Sequence, residues 1–127
     1  MPAAHAFDHA FIRVVPHVER EEFINVGVIL YCPALHFLDT RIHLDVGRLI
    51  ALAPDVDVAM VEEQLAVIPA ICAGGAAAGP IGLLSQAERF HWLVAPRSTT
   101  IQMSPVHCGE LTDPQTELDD LFEKMVK

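Results

Sequence analysis

The chain has 127 residues, 52% apolar and 20% charged, and its eight basic and 17 acidic side chains leave a net charge of −9. That length suits one domain over residues 1–127, and the apolar share excludes a disordered chain, because burial can offset the entropy of ordering. The acidic excess argues against bulk electrostatic binding to nucleic acid or to an anionic membrane. A mean hydropathy of +0.36 is high for a small monomer and predicts a homo-oligomer or a partner protein against part of the surface.

The first residues, Met1 to Pro16, carry no basic group until Arg13 and no apolar core ending at a small-residue cleavage site, which predicts a cytoplasmic protein. From Phe7 to Leu44 the apolar period is two. Ala10, Ile12 and Val14 share one face, then Ile24, Val26, Val28, Leu30 and Cys32, then Leu38, Thr40, Ile42 and Leu44. This predicts a three-stranded meander, with turns at Pro16 to Glu22 and Pro33 to Leu35. The other parity carries His9, Arg13, Asn25, Gly27, Asp39, Arg41 and His43. A plain antiparallel register sets Arg13 opposite Asn25 and Gly27 opposite Arg41.

After Asp45 the spacing changes to three and four. A short helical turn is expected over Val46 to Ala53. An amphipathic helix follows on Val58, Val61, Leu65, Ile68 and Cys72, with Asp57 as its cap and a kink or end near Pro69. Residues 64 to 87 hold no charge, but their prolines and glycines break any membrane span. The segment from Ala73 to Gly82 is a connector. It has the glycines of a phosphate-cradling loop but neither its Lys-Ser/Thr ending nor a preceding strand. Ser85 and Glu88 form a capping box that opens a helix through Arg89, Phe90 and Trp92, ending before Pro96. Thr99 to His107 alternates as a fourth strand, and Asp113-Pro114 starts a last helix with a stripe of Leu118, Leu121, Phe122, Met125 and Val126. The expected fold is therefore α+β: an antiparallel sheet of about four strands, the meander plus the later strand, with helices packed on one face.

The six arginines, Arg13, Arg20, Arg41, Arg48, Arg89 and Arg97, outnumber two lysines confined to positions 124 and 127. A guanidinium offers a planar fork to carboxylate or phosphate, so the bias fits anion recognition; for any single arginine, an ion pair with one of 17 acids is the plainer account. Arg97, Ser98 and Thr99 follow Pro96 and could hold an anion or a carboxylate, or could cap the helix and tie the linker to the sheet. Arg13 and Asn25 could line a cleft or bond to a covering helix. The three cysteines, Cys32, Cys72 and Cys108, are widely spaced reduced thiols with no C-x-x-C pair. The seven histidines show no local chelating spacing, so neither metal nor cofactor is predicted.

Arg13-Val14-Val15-Pro16, Glu22-Phe23-Ile24-Asn25-Val26-Gly27-Val28-Ile29-Leu30, Arg89-Phe90-His91-Trp92-Leu93, Ala95-Pro96-Arg97-Ser98-Thr99, Gln102 and Ser104-Pro105-Val106-His107 together resemble the bacterial domain-of-unknown-function family 3037. The resemblance implies that Arg13, Pro16, Glu22, Asn25, Gly27, Arg89, Trp92, Pro96, Arg97, Ser98, Gln102, Ser104 and His107 occupy motif positions. It also implies a gene neighbourhood with proteins similar to HipA-like kinases, which makes a kinase-like protein a candidate partner. Cys108 departs from the hydroxyl residue the resemblance would put there, which counts against a thiol mechanism.

Two functional expectations follow. The first is a non-enzymatic module, a dimer or an accessory to a HipA-like kinase, whose ligand-binding cleft draws on Arg13, Asn25, Arg97, Ser98, Gln102 and Ser104. The alternative is a small hydrolase or phosphoryl-transfer enzyme in which Arg13 and Arg97 neutralise a phosphate, His107 acts as general acid or base and Glu22 orients it. A nucleic-acid binder is disfavoured by the charge.

Overall fold

The apolar alternation of the first 44 residues builds a sheet with a core on each side. The computed structural model describes residues 3–96 and 99–127. Strands β1 (His5–Val14), β2 (Ile24–Cys32) and β3 (Phe37–Ile42) form the expected meander, and β4 (Ile101–Met103) and β5 (His107–Leu111) follow late in the chain. The strand order is β3-β2-β1-β4, with β5 also pairing β1, and every pairing is antiparallel. β4 lies along the second half of β1, at Ile12 to Val14, and β5 along the first half, at His5 to His9.

The α+β architecture is as expected, with two differences. The late strand is divided, giving five strands instead of four. Its division falls at Ser104-Pro105-Val106, where Pro105 has no N–H to give a ladder. Ser104 fills the break: its N–H donates to the Phe11 carbonyl at 2.9 Å, and its Oγ accepts from the Phe11 N–H at 2.8 Å. The second difference is that helices cover both faces. Helices α1 (Val46–Leu52), α2 (Val58–Ala73) and α3 (Gln86–Val94) close a larger core around Ile12, Val14, Leu49, Leu65, Ile71 and Phe90. Helix α4 (Pro114–Met125) lies on the opposite face, where Leu118, Phe122 and Val126 pack with Phe7, Phe11, Val28 and Leu30.

A bulge makes the second core possible. Ile12 pairs with Gly27, but the next residue, Arg13, pairs with Asn25, so Val26 has no partner in β1. One extra residue inverts the side-chain parity of the rest of the strand. Ile24 and Val26 therefore face the larger core together with Ile29 and Tyr31, while Val28, Leu30 and Cys32 face α4. The single face expected for Ile24 through Cys32 is split between both cores. The expected opposition of Arg13 and Asn25 is present, whereas Gly27 pairs with Ile42 and Arg41 with Val28. Gly27 is required by this crowding, because a Cβ there would sit 2.7 Å from the Arg41 carbonyl oxygen and 2.9 Å from Ile12 Cδ1. The approach that glycine permits is that of the chain's own strands.

Local capping chemistry sets the helix starts. Asp57 accepts from the Met60 N–H at 3.1 Å, both bonds of the Ser85–Glu88 box form, and Asp113 caps α4 ahead of Pro114. Helix α2 neither ends nor breaks at Pro69 but runs to Ala73, with Pro69 on its exposed side. Its end is closed by Arg89, only 8% exposed, whose Nη1 donates to the carbonyls of Ile71 at 2.7 Å and Cys72 at 2.8 Å. Nε of the same guanidinium donates to Leu84 O at 3.1 Å. A cation on the last carbonyls of a helix satisfies orphan acceptors and complements the helix dipole. Gly74, at φ +78°, leaves room for it, since a Cβ would meet Nη1 at 2.8 Å. The connector from Ala73 to Gly82 is itself closed by a bond from the Gly75 N–H to the Gly82 carbonyl, 2.8 Å.

Candidate functional site

The bulge that splits β2 also aims Asn25 at the α4 side of the sheet, next to Arg13. Gln102 on β4 pairs with Arg13, which pairs with Asn25, so three polar residues stand in one row across β4, β1 and β2. Directly opposed residues of antiparallel strands share a face. Arg13 has the parity of Phe7 and Phe11, which belong to the α4 core. Asn25 reaches the end of α4, its Nδ2 donating to the Met125 carbonyl at 3.4 Å.

The row is not chemically closed. Arg13 Nε and Asn25 Oδ1 are buried and make no hydrogen bond. The Arg13 guanidinium lies 4.1 Å from the ring centroid of Phe23, a residue 43% exposed, and no carboxylate among the described residues pairs with it. Arg41, on the same face, shows the contrasting case. Its guanidinium stacks 4.2 Å over Phe122 and is paired with Asp119 at 3.2 Å, so it pins α4 to the sheet. Gln102 holds the turn before β4, its Nε2 donating to the Thr99 carbonyl at 2.9 Å.

Asn25 also opens onto a polar pocket of about 340 Å³, lined by Ile24, His43, Asp45, Arg48, Val126 and Lys127. Asp45 is committed to capping α1 through the Arg48 N–H, 3.1 Å. Arg48 and Lys127 have no carboxylate partner among the described residues, so two cationic side chains without an ion pair line the pocket beside the Asp45 carboxylate. Sequence reasoning named none of Phe23, His43, Arg48 and Lys127 as site residues. The odd-parity position of His43 was a signal; nothing local marks Lys127, which the end of α4 brings beside Asn25.

The remaining predicted residues lie elsewhere or are already used. Ser104 is buried, and its hydroxyl accepts from Phe11 and donates to the Pro105 carbonyl at 2.9 Å. Glu22 pairs with Arg20 at 2.9 Å on the surface. His107 is opposite His9, while Glu22 precedes Ile24, which is opposite Val14. Five residues of β1 separate those two positions, roughly 17 Å at strand rise, and His107 is four residues, roughly 13 Å, from the Arg13 row. Arg97 and Ser98 lie outside the described residues.

His107 and His9 form a second polar spot. Their rings are 5.3 Å apart, and the buried His9 Nδ1 has no hydrogen-bond partner. Burial lowers the His9 pKa below its ordinary 6.5, the neighbouring His107 lowers it further, and Asp8 opposes both. The exposed Cys108 thiol is held protonated by a hydrogen bond to Asp8, and burial pushes Cys72 up to about 12, so neither is an activated nucleophile. Among the described residues no group of three or more His, Cys, Asp or Glu is placed to hold a metal ion, and no helix is long and apolar enough to cross a membrane.

A family model described as a protein of unknown function, DUF3037, matches residues 9–126. No curated protein and no solved structure matches the chain.

Proposed function

The chain belongs to the DUF3037 family, and from that premise and the geometry above we propose that it is a binding module for an anionic group, not a catalyst. One observation carries the reading: a guanidinium with a buried, unbonded Nε–H stands beside a buried, unbonded amide oxygen, with an exposed aromatic ring under the cation. Unsatisfied buried polar groups are costly, and a ligand that supplies their missing partners recovers that cost. The donor at Arg13 wants an oxyanion, and Asn25 Oδ1 wants an N–H or O–H. The ligand is therefore a phosphate or carboxylate that carries its own hydrogen-bond donor nearby. Arg48 and Lys127 add positive charge in the adjoining pocket. The distance of His107 from this row gives the hydrolase reading no matching support.

Calorimetric titration with inorganic phosphate and with phosphoserine tests this. Phosphoserine, which adds an ammonium donor for Asn25, should bind more tightly than inorganic phosphate, and Arg13→Gln should weaken both at least about tenfold, the cost of losing a charge-assisted bond. Equal binding by wild type and Arg13→Gln would remove the proposal. A HipA-like kinase is the proposed macromolecular partner, and its co-purification should be lost in the same variant.

A further inference from the structure

Asn25 stands between two cationic sets that the sheet keeps apart. On the β1 side is Arg13, its direct partner in the ladder. On the β3 side the ladder runs one residue past Ile42, where the His43 N–H donates to the Val26 carbonyl at 2.7 Å. His43 there joins Asn25 in the wall of the polar pocket, together with Arg48 and Lys127. The strand order sets the Arg13 and His43 backbones two strand spacings apart, about 10 Å. Arg13 has its guanidinium over the Phe23 ring, whereas Arg48 and Lys127 are exposed side chains.

We propose, resting on the anion-binding reading of the Arg13 row, that the ligand carries two anionic groups, phosphate or carboxylate, about 10 Å apart with a hydroxyl or amine between them. One anion meets the open Nε–H of Arg13. The other enters the pocket, where Arg48 and Lys127 supply two cations against the one carboxylate of Asp45. That carboxylate already accepts from the Arg48 N–H at 3.1 Å as the cap of α1. A single phosphate makes its hydrogen bonds over about 3 Å, so it fills one set and leaves the other empty. Asn25 reads what joins the two anions. Its Nδ2 is bonded to the Met125 carbonyl, which leaves Oδ1 as an acceptor and favours a ligand with a donor in its middle over a bare dianion.

Calorimetry with fructose 1,6-bisphosphate and fructose 6-phosphate tests the second anion, because these sugars differ by one phosphate at the end of a hydroxylated chain. The wild-type chain should bind the bisphosphate at least about tenfold more tightly, the gain from one charge-assisted contact. Arg48→Gln combined with Lys127→Gln, both at exposed positions, should bring that ratio near one with an unchanged far-ultraviolet circular dichroism spectrum. Arg13→Gln should weaken both sugars. Equal binding of the two sugars by the wild type, both weakened by Arg13→Gln, would overturn the two-anion ligand and leave the Arg13 row as a single-anion site. A preference for the bisphosphate that survives the double substitution, or binding of inorganic phosphate but of neither sugar, would overturn it as well. Sugar binding that ignores Arg13→Gln would instead remove the anion-binding reading itself.

Discussion

Arg89 and Arg13 are the same residue type on two sides of the sheet, and their surroundings differ in kind. Around Arg89 the chain supplies everything the cation needs: three carbonyl oxygens from Leu84, Ile71 and Cys72, and a glycine that makes space. Around Arg13 the chain supplies a phenylalanine ring and stops, leaving Nε and the neighbouring Asn25 oxygen unbonded. An arginine whose donors are filled internally serves the fold, and one with an open donor can still take a partner from outside it. The distinction rests on hydrogen-bond bookkeeping, since nothing in the sequence around the two arginines separates them.

The largest break in that comparison is expected at Arg89→Ala. It strands two buried acceptors at the end of α2 and a part-buried one at Leu84, and should cost about 3 kcal/mol, read as a drop in the urea midpoint. Gly27→Ala should follow at about 2 kcal/mol by overpacking, because the new methyl meets the Arg41 carbonyl and Ile12 beside the bulge that aims Asn25, and phosphate binding should fall with it. Ser104→Ala leaves the Phe11 N–H unbonded and should cost about 1–2 kcal/mol while sparing phosphate binding. Arg13→Gln should change stability by less than about 1 kcal/mol, because the lost cation–ring contact is offset by relief of an unsatisfied donor.

The smallest effect concerns pH. Burial lowers His9 below 6.5, so the folded protein binds that proton less well than the unfolded chain. The resulting stability is present in full above pH 6.5 and is lost as pH falls from there through the lower folded-state pKa. His9→Gln should flatten that decline, measured as urea midpoints on either side of pH 6.5.

Local chemistry was legible in the sequence. Asp57, the Ser85–Glu88 box and Asp113-Pro114 announce helix starts through bonds made within one turn, and the meander follows from alternation. The bulge was not, because Val26, Gly27 and Val28 are apolar or neutral on either face and hydrophobicity cannot report which way each points. Only Gly27 hinted at it. The placement of α4 follows from the same blind spot. Phe7 and Phe11 oppose the parity of Ile12 and Val14, a sign that β1 is apolar on both faces, but an amphipathic helix does not say which face it covers. Of the candidate site, Arg13, Asn25 and Gln102 were legible as polar positions on paired strands. Lys127 and Arg48 required the fold, since only the end of α4 and the start of α1 bring them to Asn25.

The most direct measurement is nuclear magnetic resonance of the arginine Nε–H groups during a phosphoserine titration. The Arg13 signal should move with saturation, as its open donor acquires an oxyanion, while the Arg89 signal, already bonded to Leu84, stays fixed. An Arg13 signal that does not respond, or one that moves no more than that of Arg89, would contradict the account.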